Sequence, residues 1–301
     1  TDLTRLLVPI RRGADTICGM WNAVLLLLAL LALAPTALHA QADEEMVDVE
    51  LVMAVDVSES MSPLELEIQR RGYAEAIVSD EVMTAIRLGF TGQVAVAYVE
   101  WARPEDIRVV AGWSIIRNRQ DAALFAAQLQ TKFTATLRRT SISAALDFSA
   151  GLFDNNGYRG LRRVIDISGD GPNNLGRAVT LARDEALAKG IVINGLPLIT
   201  REARDREWYL ADLDQYYVNC VVGGPGSFVL PVYGWDRFGA AVQRKLVLEL
   251  AGIKPRWPAV ASTGAGRGGL HHNAAVFGAS GGEYDCLIGE KIWRRIAKPV
   301  R

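Results

Sequence analysis

The chain has 301 residues, of which 50% are hydrophobic and 22% are charged. A chain of this composition can bury a sizeable core, which excludes disorder along its whole length. The 33 basic and 34 acidic residues leave a formal net charge of −1. Because nucleic-acid-binding proteins usually carry a basic excess, we expect no nucleic-acid partner.

Residues 1–42 are arranged like a secretory signal peptide. Basic residues precede an apolar run at 23–34, and Pro35 and several alanines up to Ala42 follow it. A basic start, a short apolar segment and a small-residue cleavage site define such signals. The apolar run is shorter than the roughly 20 residues of a membrane-spanning helix. We therefore expect cleavage and a periplasmic or secreted location; the alternative is an uncleaved segment that anchors the chain to a membrane.

Two cysteines, Cys220 and Cys286, would remain after removal of the signal. An even number of cysteines in an oxidising compartment predicts a disulfide bond, and two unrelated thiols are the alternative. The bond would close a loop of about 66 residues and stabilise the fold by roughly 4 kcal/mol on a chain-entropy model.

Apolar strands alternate with amphipathic helices after the signal segment. The clearest helix start follows the first strand, where Ser62 can cap the helix, Pro63 suits its first turn and Glu65 completes a capping box. In chain order, the predicted elements are strand 49–55, helix 63–78, strands 93–101 and 107–115, helices 121–130 and 141–153, strand 163–167, helix 176–189, strand 191–198, helix 213–220, strand 228–232 and helix 235–250.

This order predicts a doubly wound α/β domain over residues 46–251. Strands that alternate with helices form a mostly parallel sheet that is covered on both faces. The short link at Pro104 predicts a hairpin, which adds one antiparallel edge strand. Residues 252–301 form a separate tail, in which 261–269 has the composition of a flexible linker and 285–296 could form a short amphipathic piece.

Oxygen-bearing side chains lie where the carboxyl ends of the strands are expected. Asp56, Ser58 and Ser60 directly follow the first strand, at a spacing that points extended side chains the same way. Thr140 opens a helix, and Asp170 follows the fourth predicted strand. Since ligands of open α/β sheets bind beyond these strand ends, the five side chains are candidates for one site.

The chemistry of this set predicts a metal site. It comprises two carboxylates and three hydroxyls and includes neither sulfur nor imidazole. Hard oxygen ligands suit Mg²⁺, or alternatively Mn²⁺ or Ca²⁺, rather than zinc. Two aspartates balance a divalent charge without enclosing the ion, which leaves an open position for a carboxylate of a partner.

The segment Asp56-Val-Ser58-Glu-Ser60 resembles the Asp-x-Ser-x-Ser element of von Willebrand factor type A (VWA) domains. In that family a later threonine and aspartate complete a metal-ion-dependent adhesion site (MIDAS), and Thr140 and Asp170 stand in the matching strand and helix contexts. The resemblance implies a VWA/Rossmann-like fold and a non-enzymatic module that binds an Asp or Glu of a protein partner. The chain is also similar to an exported bacterial group of VWA proteins of unknown function.

Two places depart from the VWA pattern. Arg138 and Arg139 replace the Gly-Gly that often precedes the site threonine, and Gly169 replaces the usual threonine before the aspartate. Two guanidiniums beside a metal would favour an anionic partner, and solvated loop residues are the alternative interpretation.

A Mg²⁺-dependent phosphatase is the alternative function. The segment Gly169-Asp-Gly-Pro-Asn-Asn174 resembles one in haloacid-dehalogenase-type phosphatases, which share a doubly wound fold. Those enzymes need a nucleophilic aspartate and a second aspartate two residues later as acid/base. Asp56 is present, but Ser58 occupies the second position and Asn174 replaces a terminal aspartate. A hydroxyl does not shuttle protons as a carboxylate does near neutral pH, so the binding module is favoured.

Overall fold

A five-stranded sheet forms the centre of the protein. The computed structural model describes residues 44–130, 139–200, 209–252 and 284–297. The strand order is β3-β2-β1-β4-β5; β2, β1, β4 and β5 are parallel, and β3 runs antiparallel to β2, as predicted. The strands are β1 (Glu45–Asp56), β2 (Val94–Trp101), β3 (Ile107–Ile116), β4 (Tyr158–Gly169) and β5 (Ile191–Pro197).

Eight α-helices accompany the sheet in the described residues. They are α1 (Pro63–Ile77), α2 (Asp80–Arg87), α3 (Arg119–Leu129), α4 (Ile142–Gly151), α5 (Val179–Ala188), α6 (Leu213–Tyr216), α7 (Phe238–Ala251) and α8 (Ile288–Ile296). The predicted capping box of α1 is confirmed: Ser62 Oγ accepts from the backbone of Glu65, whose carboxylate accepts from the backbone of Ser62.

The side chains of β1 alternate between two apolar layers. Leu51, Met53 and Val55 belong to a cluster that includes buried residues of α1, α2, α3 and α7. Val52 and Ala54 belong to the other cluster, with α4, α5 and α6. Both faces of the sheet are therefore covered, and the fold class predicted from the alternation of strands and helices is confirmed.

One predicted strand is absent, and one helix occurs where none was predicted. Residues 228–232 make isolated bridges instead of a sixth strand: Val229 pairs with Gly195 of β5, and Val232 pairs with Leu198, just after β5. Pro197 and Pro231 carry no backbone N–H, which interrupts a continuous ladder. Helix α2 was not predicted, although Ser79 caps it by accepting from the backbone of Val82.

The predicted disulfide is present between Cys220 and Cys286. It joins the described part of the tail, where α8 corresponds to the expected amphipathic piece, to the residues that follow α6. The predicted signal segment and linker lie outside the described residues. Within the described residues, none of the helices combines the length and apolar character needed to cross a membrane.

Helix α7 is joined to the sheet by a buried group of charges. Lys245 of α7 forms ion pairs with Asp166 of β4 and with Glu249, and each of these three residues is about 1% exposed. Asn194 of β5 also donates to Glu249 Oε1, at 2.9 Å. Burial raises the pKa of the Asp166 carboxyl. Burial and the neighbouring Asp166 raise the pKa of Glu249 to about 7.

This cluster predicts a pH-dependent stability. Because the folded pKa of Glu249 lies above its ordinary value, the group stabilises the fold below about pH 4.5, and this contribution is lost as the pH rises towards 7. Relative to a Glu249→Gln variant, the wild type should lose at most about 3 kcal/mol of unfolding free energy between about pH 5 and about pH 8. Urea unfolding at both pH values measures this difference.

The matched control is Glu75→Gln, which removes an exposed carboxylate from α1. Its unfolding free energy should follow the wild-type pH dependence. Identical pH dependence of the wild type and Glu249→Gln would show that Glu249 titrates as an ordinary carboxyl.

Candidate metal centre

The predicted ligands meet at one edge of the sheet because β1 and β4 are parallel neighbours. In their pairing Val55 lies beside Ser168, so Asp56 and Asp170 leave the two strands side by side. The chain continues from β1 to β2 on one side, and β4 lies on the other side. The strand order therefore reverses at this point, which is where open α/β sheets form ligand-binding crevices.

A chain of hydrogen bonds joins four of the predicted ligands. The Ser60 hydroxyl donates to Asp170 Oδ1 at 2.7 Å, and the hydroxyls of Ser58 and Ser60 lie 2.8 Å apart. Because Ser60 gives its one proton to Asp170, Ser58 is the donor in the second bond. The backbone N–H of Ser58 donates to Asp56 Oδ1 at 2.8 Å.

Asp56 is a fully buried carboxylate with an unsatisfied oxygen. Its side chain is 0% exposed, and Oδ2 has no hydrogen-bond partner among the described atoms. Burial, followed by the negative charge of Asp170, raises the pKa of Asp56 well above its ordinary value. Ser58 and the backbone of Asp170 lower the pKa of Asp56 and offset only part of that effect. A positive charge at this position would favour the ionised carboxylate.

Thr140 lies on the loop before α4 and is hydrogen-bonded to Asn174, on the loop that follows Asp170. The backbone N–H of Thr140 donates to Asn174 Oδ1 at 3.1 Å, and the backbone N–H of Asn174 donates to the Thr140 carbonyl at 2.9 Å. Thr140 Oγ1 is 3.9 Å from the place where a Cβ on Gly171 would stand. The structure therefore gathers all five predicted ligands at the same edge of the sheet.

Steric crowding accounts for the glycine at position 169, and one of the crowding residues was missed in the sequence. A Cβ on Gly169 would lie 2.9 Å from Asp56 Oδ2 and 3.0 Å from the hydroxyl of Tyr217. Tyr217 is fully buried, and its hydroxyl has no hydrogen-bond partner in the described part of the chain. The tyrosine belongs to a π-helical turn, Tyr217–Val221, which packs against β5 and leaves no periodic signal in the sequence.

Arg139 is engaged by the protein and is not a freely solvated loop residue. Its Nη2 donates to the carbonyl of Asn174 at 2.7 Å, and its guanidinium lies 4.1 Å from the ring centroid of Trp293. Its φ angle is 95°, which few non-glycine residues adopt. Arg139 Nε also donates at 3.4 Å to Asn174 Oδ1, the atom that accepts from the backbone of Thr140. Arg138 lies outside the described residues.

The two asparagines of the phosphatase-like segment fasten neighbouring loops. Asn173 Oδ1 accepts from the backbone N–H of Ser143 at 3.0 Å, and Asn173 Nδ2 donates to Glu290 Oε1 at 2.8 Å. Asn174 holds Thr140 and Arg139, as described above. Both side-chain amides are therefore used for internal hydrogen bonds.

The side chains present at the site fit a hard divalent cation. The five predicted ligands offer carboxylate and hydroxyl oxygens, which Mg²⁺, Mn²⁺ and Ca²⁺ prefer. The unpartnered, buried Oδ2 of Asp56 supports the fit, because a nearby cation would compensate its charge. The part of the chain that the structure describes contains no group of three or more His, Cys, Asp or Glu residues suited to a metal. Any cation here would therefore depend on the hydroxyls of Ser58, Ser60 and Thr140.

A family model for DUF1194, described as a protein of unknown function, matches residues 46–254. The match covers more than half of the chain. The chain belongs to this family. A search of the curated proteins finds no significant match.

Solved structures share the fold of the DUF1194 chain. The pilus adhesin SpaC from Lactobacillus rhamnosus GG is 12% identical, with a TM-score of 0.51, over 68% of this chain and 31% of that structure. Proximal thread matrix protein 1 from the mussel byssus, with a zinc-occupied MIDAS motif, is 14% identical, with a TM-score of 0.50, over 69% and 49%. A von Willebrand factor type A structure from Catenulispora acidiphila is 11% identical, with a TM-score of 0.47, over 68% and 43%.

The chain thus spans less than half the length of each of these structures. The similarity of the first two structures, with TM-scores of 0.51 and 0.50, establishes the fold. The DUF1194 chain has a VWA-type fold, which confirms the resemblance seen in the Asp-x-Ser-x-Ser segment.

A thermal melt tests cation binding at the predicted ligands. At a hundredfold excess over its dissociation constant, a ligand of the folded state adds about 2.7 kcal/mol to stability. Mg²⁺ should therefore raise the melting temperature of the wild type by a few degrees over EDTA, and it should not raise that of Asp56→Ala.

Glu59→Ala is the control, since it removes one negative charge from the same motif at an exposed position. This variant should respond to Mg²⁺ like the wild type. The ligand assignment is wrong if Asp56→Ala gains as much stability as the wild type, or if Mg²⁺, Mn²⁺ and Ca²⁺ all leave the wild type unchanged.

Proposed function

We propose that this protein is a metal-dependent binding module that recognises an acidic group on a protein partner. Asp56, Ser58, Ser60 and Thr140 would hold a Mg²⁺ ion, or Mn²⁺ or Ca²⁺, with Asp170 acting directly or through water. The observation that carries the proposal is the chain of hydrogen bonds of 2.7 to 2.8 Å that joins Asp56 Oδ1, Ser58, Ser60 and Asp170, on a buried Asp56 whose Oδ2 has no partner among the described atoms.

The residues of the site suit binding at an open edge. A bound cation would supply a Lewis-acidic position for an anionic group. Asp56 and Asp170 provide two negative charges, which neutralise a divalent ion without forming an all-protein cage. The hydroxyl protons of Ser58 and Ser60 point along the chain towards Asp170, which leaves lone pairs of both oxygens for a cation.

The surroundings favour an acidic partner with some apolar surface. Arg139 shares Asn174 Oδ1 with the backbone of Thr140, and a carboxylate approaching the site would be attracted by its positive charge. Leu64, in the first turn of α1, is 64% exposed and follows Ser60 closely in the chain. An apolar contact beside a charge contact is a common arrangement in protein interfaces.

Two of the similar structures support the proposal. The mussel protein has a zinc-occupied MIDAS motif, and the Lactobacillus rhamnosus GG protein is a pilus adhesin. Both have TM-scores of at least 0.50 against this chain. Their properties are carried over here as a proposal, since their sequence identities to this chain are 14% and 12%.

The residues of the site favour binding over catalysis. Ser58 stands where a phosphatase of the alternative family needs a second carboxylate, and its hydroxyl bonds to Ser60. The described residues include no histidine that could act as a general base. Asn173 and Asn174 are occupied by contacts with neighbouring loops. We therefore propose that the protein binds its partner without turnover.

Export is part of the proposal. The basic and apolar segment at 1–42 has the features of a secretory signal, and the disulfide between Cys220 and Cys286 suits an oxidising compartment. A periplasmic or secreted protein would meet its partner outside the cytoplasm.

Partner capture tests the proposed function. The protein, immobilised, should retain a specific protein from a cell-envelope extract of the source organism in Mg²⁺ and release it in EDTA. Asp56→Ala should retain at least tenfold less, because the loss of a ligand costs more than about 1.4 kcal/mol. Glu59→Ala should retain as much as the wild type. Retention that survives both EDTA and Asp56→Ala would contradict metal-dependent binding.

A phosphatase assay separates the two functions. The proposal predicts no sustained Mg²⁺-dependent hydrolysis of p-nitrophenyl phosphate by the wild type. Steady turnover that Asp56→Asn abolishes would overturn the binding proposal in favour of phosphoryl transfer.

A further inference from the structure

Helix α8 lies outside the residues that match the family model, yet it contacts the loops that carry two predicted ligands. The match to the family model ends at residue 254, whereas α8 spans Ile288–Ile296. The two loops are 139–141, with Thr140, and 170–174, with Asp170. We refer to them below as the ligand loops.

The first contact is a close approach of α8 to the 170–174 loop. A Cβ on Gly289 would overlap the main-chain oxygen of Asn173 and lie 3.0 Å from Pro172 Cβ. The next residue, Glu290, accepts a hydrogen bond of 2.8 Å from Asn173 Nδ2. Only glycine permits this approach, and the approach places the Glu290 carboxylate on Asn173.

The second contact reaches the 139–141 loop. Trp293 lies under the Arg139 guanidinium, with 4.1 Å between the guanidinium carbon and the ring centroid. Arg139 in turn donates to the Asn174 carbonyl, and Asn174 Oδ1 accepts from the backbone of Thr140. Because Arg139 has a positive φ of 95°, its backbone needs surrounding contacts to stay in that conformation.

The start of α8 is held to the domain by a covalent bond and by tyrosine contacts. The disulfide ties Cys286 to Cys220. Tyr284 donates to Asp212 Oδ2 at 2.9 Å, and its ring lies 6.3 Å from that of Tyr216. The Tyr216 hydroxyl also accepts from the backbone N–H of Asn173 at 3.2 Å. The anchor of α8 and the 170–174 loop therefore share Tyr216.

We propose that α8 is a positioning element that fixes both ligand loops, so that cation affinity depends on a helix outside the family domain. Gly289, Glu290 and Trp293 act through Asn173 and Arg139, and they do not touch the ion themselves. Residues that orient ligands from behind typically change metal affinity by about 10- to 100-fold when they are altered. This inference rests on the proposed metal site.

Three variants of the full chain test the inference, with Mn²⁺ as the probe. Gly289→Ala should weaken Mn²⁺ binding about tenfold in calorimetry, because the added methyl group pushes α8 away from Asn173. Alanine is a better helix former than glycine, so a loss of affinity would not come from an unstable α8. Glu290→Ala should act in the same direction, whereas Glu290→Gln keeps an acceptor for Asn173 and should bind within about twofold of the wild type.

A glycine in another helix provides the matched control. Gly239 of α7 has no atoms within 4 Å of an added Cβ, so Gly239→Ala should leave Mn²⁺ affinity unchanged. The double variant Cys220→Ala with Cys286→Ala removes the anchor and should weaken Mn²⁺ binding as Gly289→Ala does. If Gly289→Ala, Glu290→Ala and the double variant all bind Mn²⁺ like the wild type, the inference is overturned even though the metal site stands.

Hydrogen exchange in EDTA tests the loops without any metal. The backbone N–H groups of Thr140, Ser143 and Asn173 are donors in the contacts described above. They should exchange about tenfold faster in Gly289→Ala than in the wild type and Gly239→Ala. If the wild type binds no cation, the proposed function fails. Faster exchange in Gly289→Ala would still support the inference that α8 fixes the ligand loops. Unchanged exchange in Gly289→Ala would contradict the inference that α8 fixes these loops.

Discussion

The pairing of β1 with β4 places two aspartates side by side, and the site depends on this constraint. Because the strands are parallel neighbours, Asp56 and Asp170 emerge at the same edge of the sheet. Asp56 is buried and Asp170 is half-buried, and burial followed by the charge of Asp170 raises the pKa of Asp56. The Ser60 hydroxyl donates to Asp170 and the backbone N–H of Ser58 donates to Asp56 Oδ1, but Asp56 Oδ2 has no hydrogen-bond partner in the described structure. A divalent cation satisfies this arrangement better than an internal proton donor would, since a cation compensates both carboxylates at once.

The second half of the site lies on loops. Loops lack the regular hydrogen bonds between neighbouring strands, so contacts with other segments must hold them in place. Thr140 and Asp170 lie on loops that are joined by Asn174 and braced by α8. The disulfide fixes the start of that helix near the π-helical turn, and the same turn supplies Tyr217 beside Gly169. Rigid placement of ligands limits the entropy that cation binding would otherwise cost. On this account the tail contributes to the binding chemistry of the domain instead of being only an appendage.

Local patterns predicted the fold and the five candidate ligands, because each pattern depends on residues close together in the chain. Ser62 and Glu65 mark the start of α1 through a capping box, and Asp56, Ser58 and Ser60 directly follow a strand whose apolar run is unambiguous. Contacts between segments that are distant in the chain leave no such local pattern in the sequence. A Cβ on Gly289 would overlap Asn173, and a Cβ on Gly169 would crowd the Tyr217 hydroxyl. Both constraints arise only when the chain is folded. The apolar run at 228–232 predicts a strand, but Pro231 interrupts the ladder and leaves only isolated bridges.

Anomalous diffraction from crystals of the protein soaked in Mn²⁺ tests the central claim most directly. The account predicts one strong manganese peak within a coordination distance of about 2 to 2.6 Å from the hydroxyl oxygens of Ser58 and Ser60. Such a peak should be absent in crystals of Asp56→Ala. A structure at saturating Mn²⁺ that shows no peak beside these hydroxyls, or a peak only elsewhere on the protein, would contradict the account.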